Sequence, residues 1–280
     1  MVLSFGEVLM DCFLEKNVIG GAPFNVAVHL RRLGEESGII SKVGKDELGL
    51  QIKNILVKER LSGQLQIDHN YPTGKVDVTL DEGQPSYYIH KGCGWEFIDV
   101  KKIKPPSFFV FGSLALFFKN NKQSFKNYRN QFSETVFVCD LNLRKPFYDK
   151  STIDLCLNAT DILKINDEEL IFLSQQYKVE NVIEWLKAEF NIDKILLTEG
   201  SKGANLFWEG QIISCEVKKV NSIIDTVGAG DSFTSIFLHG LINELPLDIS
   251  MQRAADFAGL ICQNSGAVPS DLAIYEKFKF

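Results

Sequence analysis

"DTVGAGDSF", residues 225–233, sets three small residues and two carboxylates into nine positions. The run ahead of it alternates and reads as a strand. The run behind it, through 243, places Phe233, Ile236, Phe237 and Leu241 on one face and reads as a helix. One Gly suffices for a turn and one acid for a helix cap. Gly228, Ala229, Gly230 and Asp231 together exceed what a strand-to-helix join requires. Small residues there let the backbone N–H groups of 228–230 converge on one point, where a helix N-terminus adds about half a positive charge. Such a pocket suits a phosphoryl group in transfer. Asp231 beside it is electrostatically awkward unless it accepts a proton, for example from a hydroxyl that attacks phosphorus. The residues alone leave a second reading equally open, in which Asp231 caps the helix and the glycines turn the chain.

Outward from this stretch, strand-like and helix-like runs alternate. Strands are expected over 2–9, 38–43, 108–112, 135–140, 162–165 and 194–198, with a strand pair around "WEGQ" within 203–215. Helices are expected over 25–33, 46–59, 122–132, 150–158, 167–177, 180–190, 229–243 and 248–263. The alternation predicts an α/β fold with a doubly wound, mostly parallel sheet flanked by helices. Three short alternating runs, 64–69, 75–80 and 86–90, interrupt it, separated by "YPTG" and "DEGQP". With the segment after Asp11 they are expected to form a small β-sheet lid. The division expected is a main domain over 1–10, 19–62 and 101–280 and a lid over 11–18 and 63–100. The run "KNNKQSFKN" (119–127) reads as a solvated helix start, and there is no internal repeat.

A chain of 280 residues accommodates one sizeable α/β domain, alone or with a small appendage. Its net charge of −6 and the lack of any Lys/Arg block argue against a nucleic-acid partner. No apolar run approaches the ~20 residues needed to cross a bilayer. "MVLSFGEVLMDC" lacks a basic leader region and reads as a first strand, not as a signal peptide. Cys12, Cys93, Cys139, Cys156, Cys215 and Cys262 are scattered without a CxxC, as expected of reduced core thiols in a cytoplasmic protein. Gly44-Lys45 is followed by Asp46 and lacks the upstream Gly of a Walker A loop. Phe233 stands where a dinucleotide fingerprint needs Gly, and no G-x-S-x-G is present. The four histidines are too far apart in sequence for a metal site, and His29 and His239 read as helix-surface residues.

The second unusual stretch is "GGAPFNVAVHLRRLG", 20–34. Gly20 and Gly21 let the backbone approach a ligand closely, and Asn25 presents both a donor and an acceptor at a helix start, which suits sugar hydroxyls. The alternative is a plain turn with a helix cap. Asp11, at the end of the first strand, is placed to accept two hydroxyl protons, because ligands of parallel sheets gather at the carboxyl ends of strands.

Together these stretches resemble the ribokinase-like (PfkB) family of carbohydrate kinases. The first family signature is matched from Gly20-Gly21 through Asn25 and Gly34 to Gly44, and the second over "DTVGAGDSF". Further matches are "GEVLMD" (6–11), "YPTGKVDVTL" (71–80), "FGSLA" (111–115), "DLNLRKPFY" (140–148), "KINDEEL" (164–170), "LTEGSKGA" (197–204) and "SGAVPS" (265–270), so the resemblance spans essentially the whole chain. "GE-x3-D", "GGAP-x-N" and "D-x-N-x-R" are more similar to bacterial fructokinases than to ribokinases or nucleoside kinases. The resemblance implies a ribokinase-like fold and phosphoryl transfer from ATP to a sugar, foremost D-fructose. A 2-keto-3-deoxygluconate kinase is the rival within the family, and a non-catalytic sugar- or nucleotide-binding regulator is the rival outside it.

Carried over residue by residue, the resemblance makes Asp231 the base and Gly228, Ala229 and Gly230 the anion hole. Asp11, Gly20, Gly21 and Asn25 would hold the sugar, and Arg144 would reach the sugar or the phosphate. Asn166 and Glu169 would organise Mg²⁺ and its waters around ATP, although as residues they also spell a capping box. Thr198, Gly200, Lys202 and Gly203, with Gly230, would line the nucleotide site. Asp225 and Val227, with Gly266 and Ser270, would form a loop for a monovalent cation, K⁺. Three departures stand out. Ile236 replaces the usual small residue, "CFLEKNVI" (12–19) is a short lid segment, and no Arg follows Gly112-Ser113-Leu114, where Lys119 is the nearest cation. An exposed lid sheet could pair with a second copy as a homodimer.

Overall fold

Residues 2–9 form two strands instead of one. β1 (Val2–Phe5) stops at Gly6, whose φ of +146° suits glycine and where a Cβ would come within 2.8 Å of Pro23 Cγ. The chain then turns into β2 (Leu9–Cys12), which belongs to a different sheet. The computed structural model describes residues 1–14, 16–61, 65–81, 84–218 and 222–280. After β2 come β3 (Asn17–Gly20), α1 (Ala22–Arg32), β4 (Ser37–Gly44), α2 (Glu47–Lys58), β5 (Leu65–Asp68), β6 (Lys75–Asp81) and β7 (Gln84–Ile89). Then follow β8 (Phe108–Gly112), α3 (Ser113–Leu116), α4 (Lys119–Gln131), β9 (Val136–Asp140), α5 (Lys150–Asn158), β10 (Ile162–Asn166), α6 (Asp167–Tyr177) and α7 (Val182–Phe190). The chain closes with β11 (Lys194–Thr198), β12 (Ala204–Trp208), β13 (Gln211–Cys215), α8 (Ala229–Ile242), α9 (Leu247–Ile261) and α10 (Ala273–Glu276).

The large sheet has nine strands in the order β13-β12-β11-β10-β9-β8-β1-β4-β5, parallel from β11 to β5 with β12 and β13 antiparallel at one edge. Its central strands are apolar on both faces. Phe109, Phe111, Phe137 and Cys139 point into one core layer with Phe5 and Leu163. Val2, Val110 and Val138 point into the opposite layer with Val26 and Leu30 of α1 and Leu238 of α8. A sheet that is largely apolar on both faces has to be covered on both, which is why helices pack on either side. The doubly wound α/β architecture follows.

The small sheet runs β3-β2-β6-β7. Of the run 64–69, expected in it, Leu65–Asp68 instead pairs in parallel with β4, Ser41 opposite Leu65, at the edge of the large sheet. β2 and β3 supply the lid's other half from residues 9–20, so the lid takes in Leu9 and Met10. A short run of alternation cannot say which sheet edge it will join. Residue 64, residues 82–83 of the turn expected at "DEGQP", and Glu15 of the expected lid segment lie outside the described residues.

Three local expectations are corrected. His29 is buried between Tyr275 Oη (2.9 Å) and the Ala267 carbonyl (3.1 Å), and His239 between Glu35 Oε1 (2.7 Å) and the Phe278 carbonyl (3.0 Å). Neither is a helix-surface residue, because the C-terminal segment closes over both. Asn121, read as part of a solvated helix start, is buried; its amide donates to the Trp95 and Ala115 carbonyls and its oxygen accepts from Ile98 N. Residues 222–228 ahead of α8 are irregular, while 219–221 lie outside the described residues. Ile224 N and Asp225 N both donate to the Cys262 carbonyl at the end of α9, which holds this segment off the sheet.

Candidate active site

Helices α1 and α8 pack side by side, and each begins on a glycine with positive φ, Gly21 at +112° and Gly228 at +78°. At Gly21 a Cβ would come within 2.5 Å of the Glu7 carbonyl, and at Gly228 it would overlap Ala267. Pro23 in the first turn of α1 lacks the N–H that has no intrahelical acceptor there anyway. This geometry brings Asn25 and Asp231 together, with Asn25 Nδ2 donating to Asp231 Oδ2 at 2.7 Å. Asp231 is 9 % exposed. Burial, then the Asp140 charge, pushes its carboxyl up to about 6 against the pull of Asn25, Lys164 and Arg144. Asn25 Oδ1 is buried without a partner among the described residues, leaving an acceptor free for a ligand hydroxyl.

Beneath the start of α8 lies a buried ion pair. Lys164 Nζ, from β10, meets both carboxylate oxygens of Asp140, from β9, at 2.9 and 2.8 Å. Burial opposes the lysine's charge, but Asp140 with Glu169 and Asp231 outweighs it, and Lys164 stays above its ordinary value. A Cβ on Gly230 would stand 3.1 Å from Nζ, so the ammonium sits directly against the expected anion hole. The N–H groups of a helix's first turn have no intrahelical acceptor, although Ala229 N makes a long 3.3 Å turn bond to the Thr226 carbonyl. Neither Lys164 nor Asp140 was singled out from the sequence. The available signal was a charge inside the apolar strand "ILKIN" and another closing "VFVCD", each of which needs a partner once buried.

The side expected to hold the sugar is built from the lid and the turn after β1. Asp11 is pushed up to about 6 by burial, and a Cβ on Gly20 would come within 2.5 Å of its Oδ2. Asp11 pairs with Val76 across β2–β6, and Val78 pairs with Tyr87 across β6–β7, so Asp11 and Tyr87 share one face of the lid. Burial, then the charges of Asp225 and Asp11, raises the Tyr87 hydroxyl. Tyr87 was not anticipated; a half-exposed aromatic in a short run carries no motif. Arg144 is exposed, makes no side-chain hydrogen bond among the described residues, and lends its charge to Asp231 and Glu7. Glu7, also unanticipated, is 4 % exposed and lines a small cavity with Asp231, Asp140, Asn142 and Ser113.

On the side expected to hold the nucleotide, Asn166 and Thr198 are register partners at the carboxyl ends of β10 and β11. The capping box forms: Glu169 N donates to Asn166 Oδ1 (2.7 Å) and Asn166 N to Glu169 Oε2 (3.0 Å). Glu169 Oε1 also accepts from Leu143 N at 2.8 Å, which fixes the segment carrying Arg144. Gly200, Lys202 and Gly203 follow β11 in a tight turn, where a Cβ on Gly203 would overlap the Cys215 carbonyl; Lys202 is exposed. Asp225 joins its two expected loop segments, Oδ1 accepting from Val227 N and Oδ2 from Gly266 N, both at 3.0 Å. Ser270 is exposed and is not bonded to Asp225 among the described residues. No group of three or more His, Cys, Asp and Glu able to hold a metal occurs among the described residues. Nor is any described helix long and apolar enough to cross a membrane.

Residues 2–273 match the pfkB family of carbohydrate kinases. The chain is 29 % identical to a protein of Arabidopsis thaliana named "Probable fructokinase-6, chloroplastic", covering 96 % of this chain and 79 % of that one. It is 26 % identical to Fructokinase-2 of Solanum lycopersicum, over 87 % of this chain and 82 % of that one. Among solved structures, fructokinase from Vibrio cholerae O395, bound to fructose, ADP and calcium, superposes with a TM-score of 0.85 at 25 % identity, covering 100 % of this chain and 98 % of the other. An uncharacterized sugar kinase from Pyrococcus horikoshii in complex with ATP superposes with a TM-score of 0.81 at 27 % identity, covering 95 % and 94 %.

Proposed function

Because the chain belongs to the pfkB family of carbohydrate kinases and is an ATP-dependent sugar kinase, we propose that its acceptor is D-fructose and that Asp231 is the general base. The observation that carries the mechanism is the buried Asp231 carboxylate, held by Asn25 at the start of α8 and pushed up to about 6. A base near that value is ionised at neutral pH yet basic enough to take a hydroxyl proton in the transition state. The sugar oxygen loses its proton to Asp231 and forms a bond to the γ-phosphorus as the bond to the bridging oxygen breaks and ADP leaves. Gly228, Ala229 and Gly230 would meet the transferring group with backbone N–H, reinforced by Lys164 below. Asp11, Gly20, Gly21 and Asn25 would hold the sugar, and Arg144 would steady the phosphate or the sugar. Lid closure over the sugar would exclude water, so that ATP is not hydrolysed.

Thr198, Gly200, Lys202 and Gly203 would line the nucleotide. The lack of a described cluster of metal-ligating side chains fits Mg²⁺ arriving with ATP, since that ion keeps several waters and binds largely through phosphates. Asn166 and Glu169 would reach it through those waters, where it neutralises phosphate charge. Asp225 draws Val227 and Gly266 together, and this loop, with Ser270, would take K⁺. A homodimer through the lid is proposed from Tyr88, which is 66 % exposed on the face opposite Asp11; a monomeric elution in gel filtration would overturn it.

The test is a coupled kinase assay over a panel of sugars with ATP, with and without K⁺. Phosphorylation of fructose is expected, together with its loss in Asp231→Asn. Activity on a sugar acid alone would replace the acceptor, and survival of phosphorylation in Asp231→Asn would overturn the mechanism.

A further inference from the structure

Glu7 follows Gly6 at the break between β1 and β2, and its backbone carbonyl packs against Gly21 at the start of α1. It is almost fully buried, and its carboxyl shares one cavity with Asp231 and Asp140. Among the described residues, the backbone N–H groups of Glu7 and Ala22 favour its charged form. Lys164 is committed to Asp140, and Arg144 lies at the surface. We propose that Glu7 is a positioning residue of the transfer site which has to remain protonated for turnover, standing as a neutral acid behind Asp231. This rests on the reading of Asp231 as the base.

The charges around the site supply the reason. Asp231 from α8 and Asp140 from β9 are negative, and Lys164 from β10 and Arg144 from the segment after β9 are positive. Glu169 from α6 also acts on Lys164, so three carboxylates already face two cations. Ionised Glu7 would add a fourth negative charge where a phosphoryl group with three anionic oxygens must enter. It would also add a like charge behind the base, in a dry site where repulsion is poorly screened. A neutral carboxylic acid avoids both and keeps the wall between Gly21 and Asp231 filled. Burial, the opposing backbone N–H, and the Asp231 charge together leave the Glu7 carboxyl at about 7, so the change of state falls within a range that kinetics can reach.

The experiment is the pH dependence of kcat/KM for the phosphorylated sugar, from about pH 5.5 to 8.5, in the wild type, Glu7→Gln and Asp231→Asn. The wild type is expected to rise through the Asp231 limb and then fall by about fivefold between pH 7 and 8. Glu7→Gln, which keeps the shape and cannot ionise, is expected to keep the rise and lose the fall. A descending limb of equal size in Glu7→Gln, or none in the wild type, overturns the proposal. If Glu7→Gln does not turn over, calorimetric binding of Mg·ATP decides: affinity is expected to weaken with pH in the wild type only, and equal pH dependence in both overturns the proposal. Asp231→Asn separates the two readings. Surviving activity there removes the base assignment itself, whereas a dead Asp231→Asn beside an unchanged Glu7→Gln profile removes only the role of Glu7.

Discussion

Asn25 Nδ2 donates to Asp231 Oδ2 across 2.7 Å, so a buried side-chain bond ties the two motif-bearing helices together near their N-termini. That bond stabilises the ionised carboxylate against the burial that raises it. Asn25→Ala should lose about 1.5–3 kcal/mol of that support. The ascending limb of the kcat/KM profile should then move up by about one pH unit or more from its position near 6. The loss of activity is therefore larger at pH 6 than at pH 8, and pH-dependent kinetics on the variant checks it.

Stability should oppose activity at the same place. Asp231 and Glu7 hold their protons more tightly in the folded chain, at about 6 and about 7, than at their ordinary values of 3.8 and 4.5. Stability is therefore fully retained below the ordinary values and falls as pH rises toward the folded ones. Asp231→Asn and Glu7→Gln remove that penalty, each by up to about 3 kcal/mol at pH 8. Thermal unfolding should place both variants above the wild type at pH 8, with the gap closing at pH 4.

The Lys164–Asp140 pair predicts a split between stability and activity. Lys164→Met leaves Asp140 buried without its cation, a cost of about 3–5 kcal/mol. The double variant Lys164→Met/Asp140→Asn should recover most of that stability in denaturant titration. It should not recover turnover, because the ammonium against Gly230 is gone.

The two glycines of the anion hole should differ. Gly228→Ala meets both a φ of +78° and the side chain of Ala267, a strain of about 1–3 kcal/mol that displaces the first N–H groups of α8. Gly230→Ala meets only the far end of Lys164, which can yield. Steady-state kinetics should give Gly228→Ala the lower kcat, by about tenfold or more.

Much of the site was legible because its chemistry is concentrated in short stretches. "DTVGAGDSF" held the loop acid Asp225, the turn glycine and Asp231 together, and local sequence was enough to find them. Lys164 and Asp140 escaped notice because each stands alone in its strand, and their meaning depends on β9 and β10 being neighbours. His29 and His239 were misread for the same reason, since helical periodicity cannot foresee that residues 267–280 will fold back over them. Leu65–Asp68 is a strand, as expected, but in the other sheet.

The α/β alternation, the lid, the family and the two motif-bearing stretches are written in local sequence, because periodicity and turn chemistry act over a few residues. What surrounds Asp231 depends on packing between distant segments. The bond from Asn25, the Asp140–Lys164 pair beneath Gly230 and the buried Glu7 behind it come from segments far apart in the chain. Burial, which pushes the Asp231 and Glu7 carboxyls up, exists only after those segments have packed.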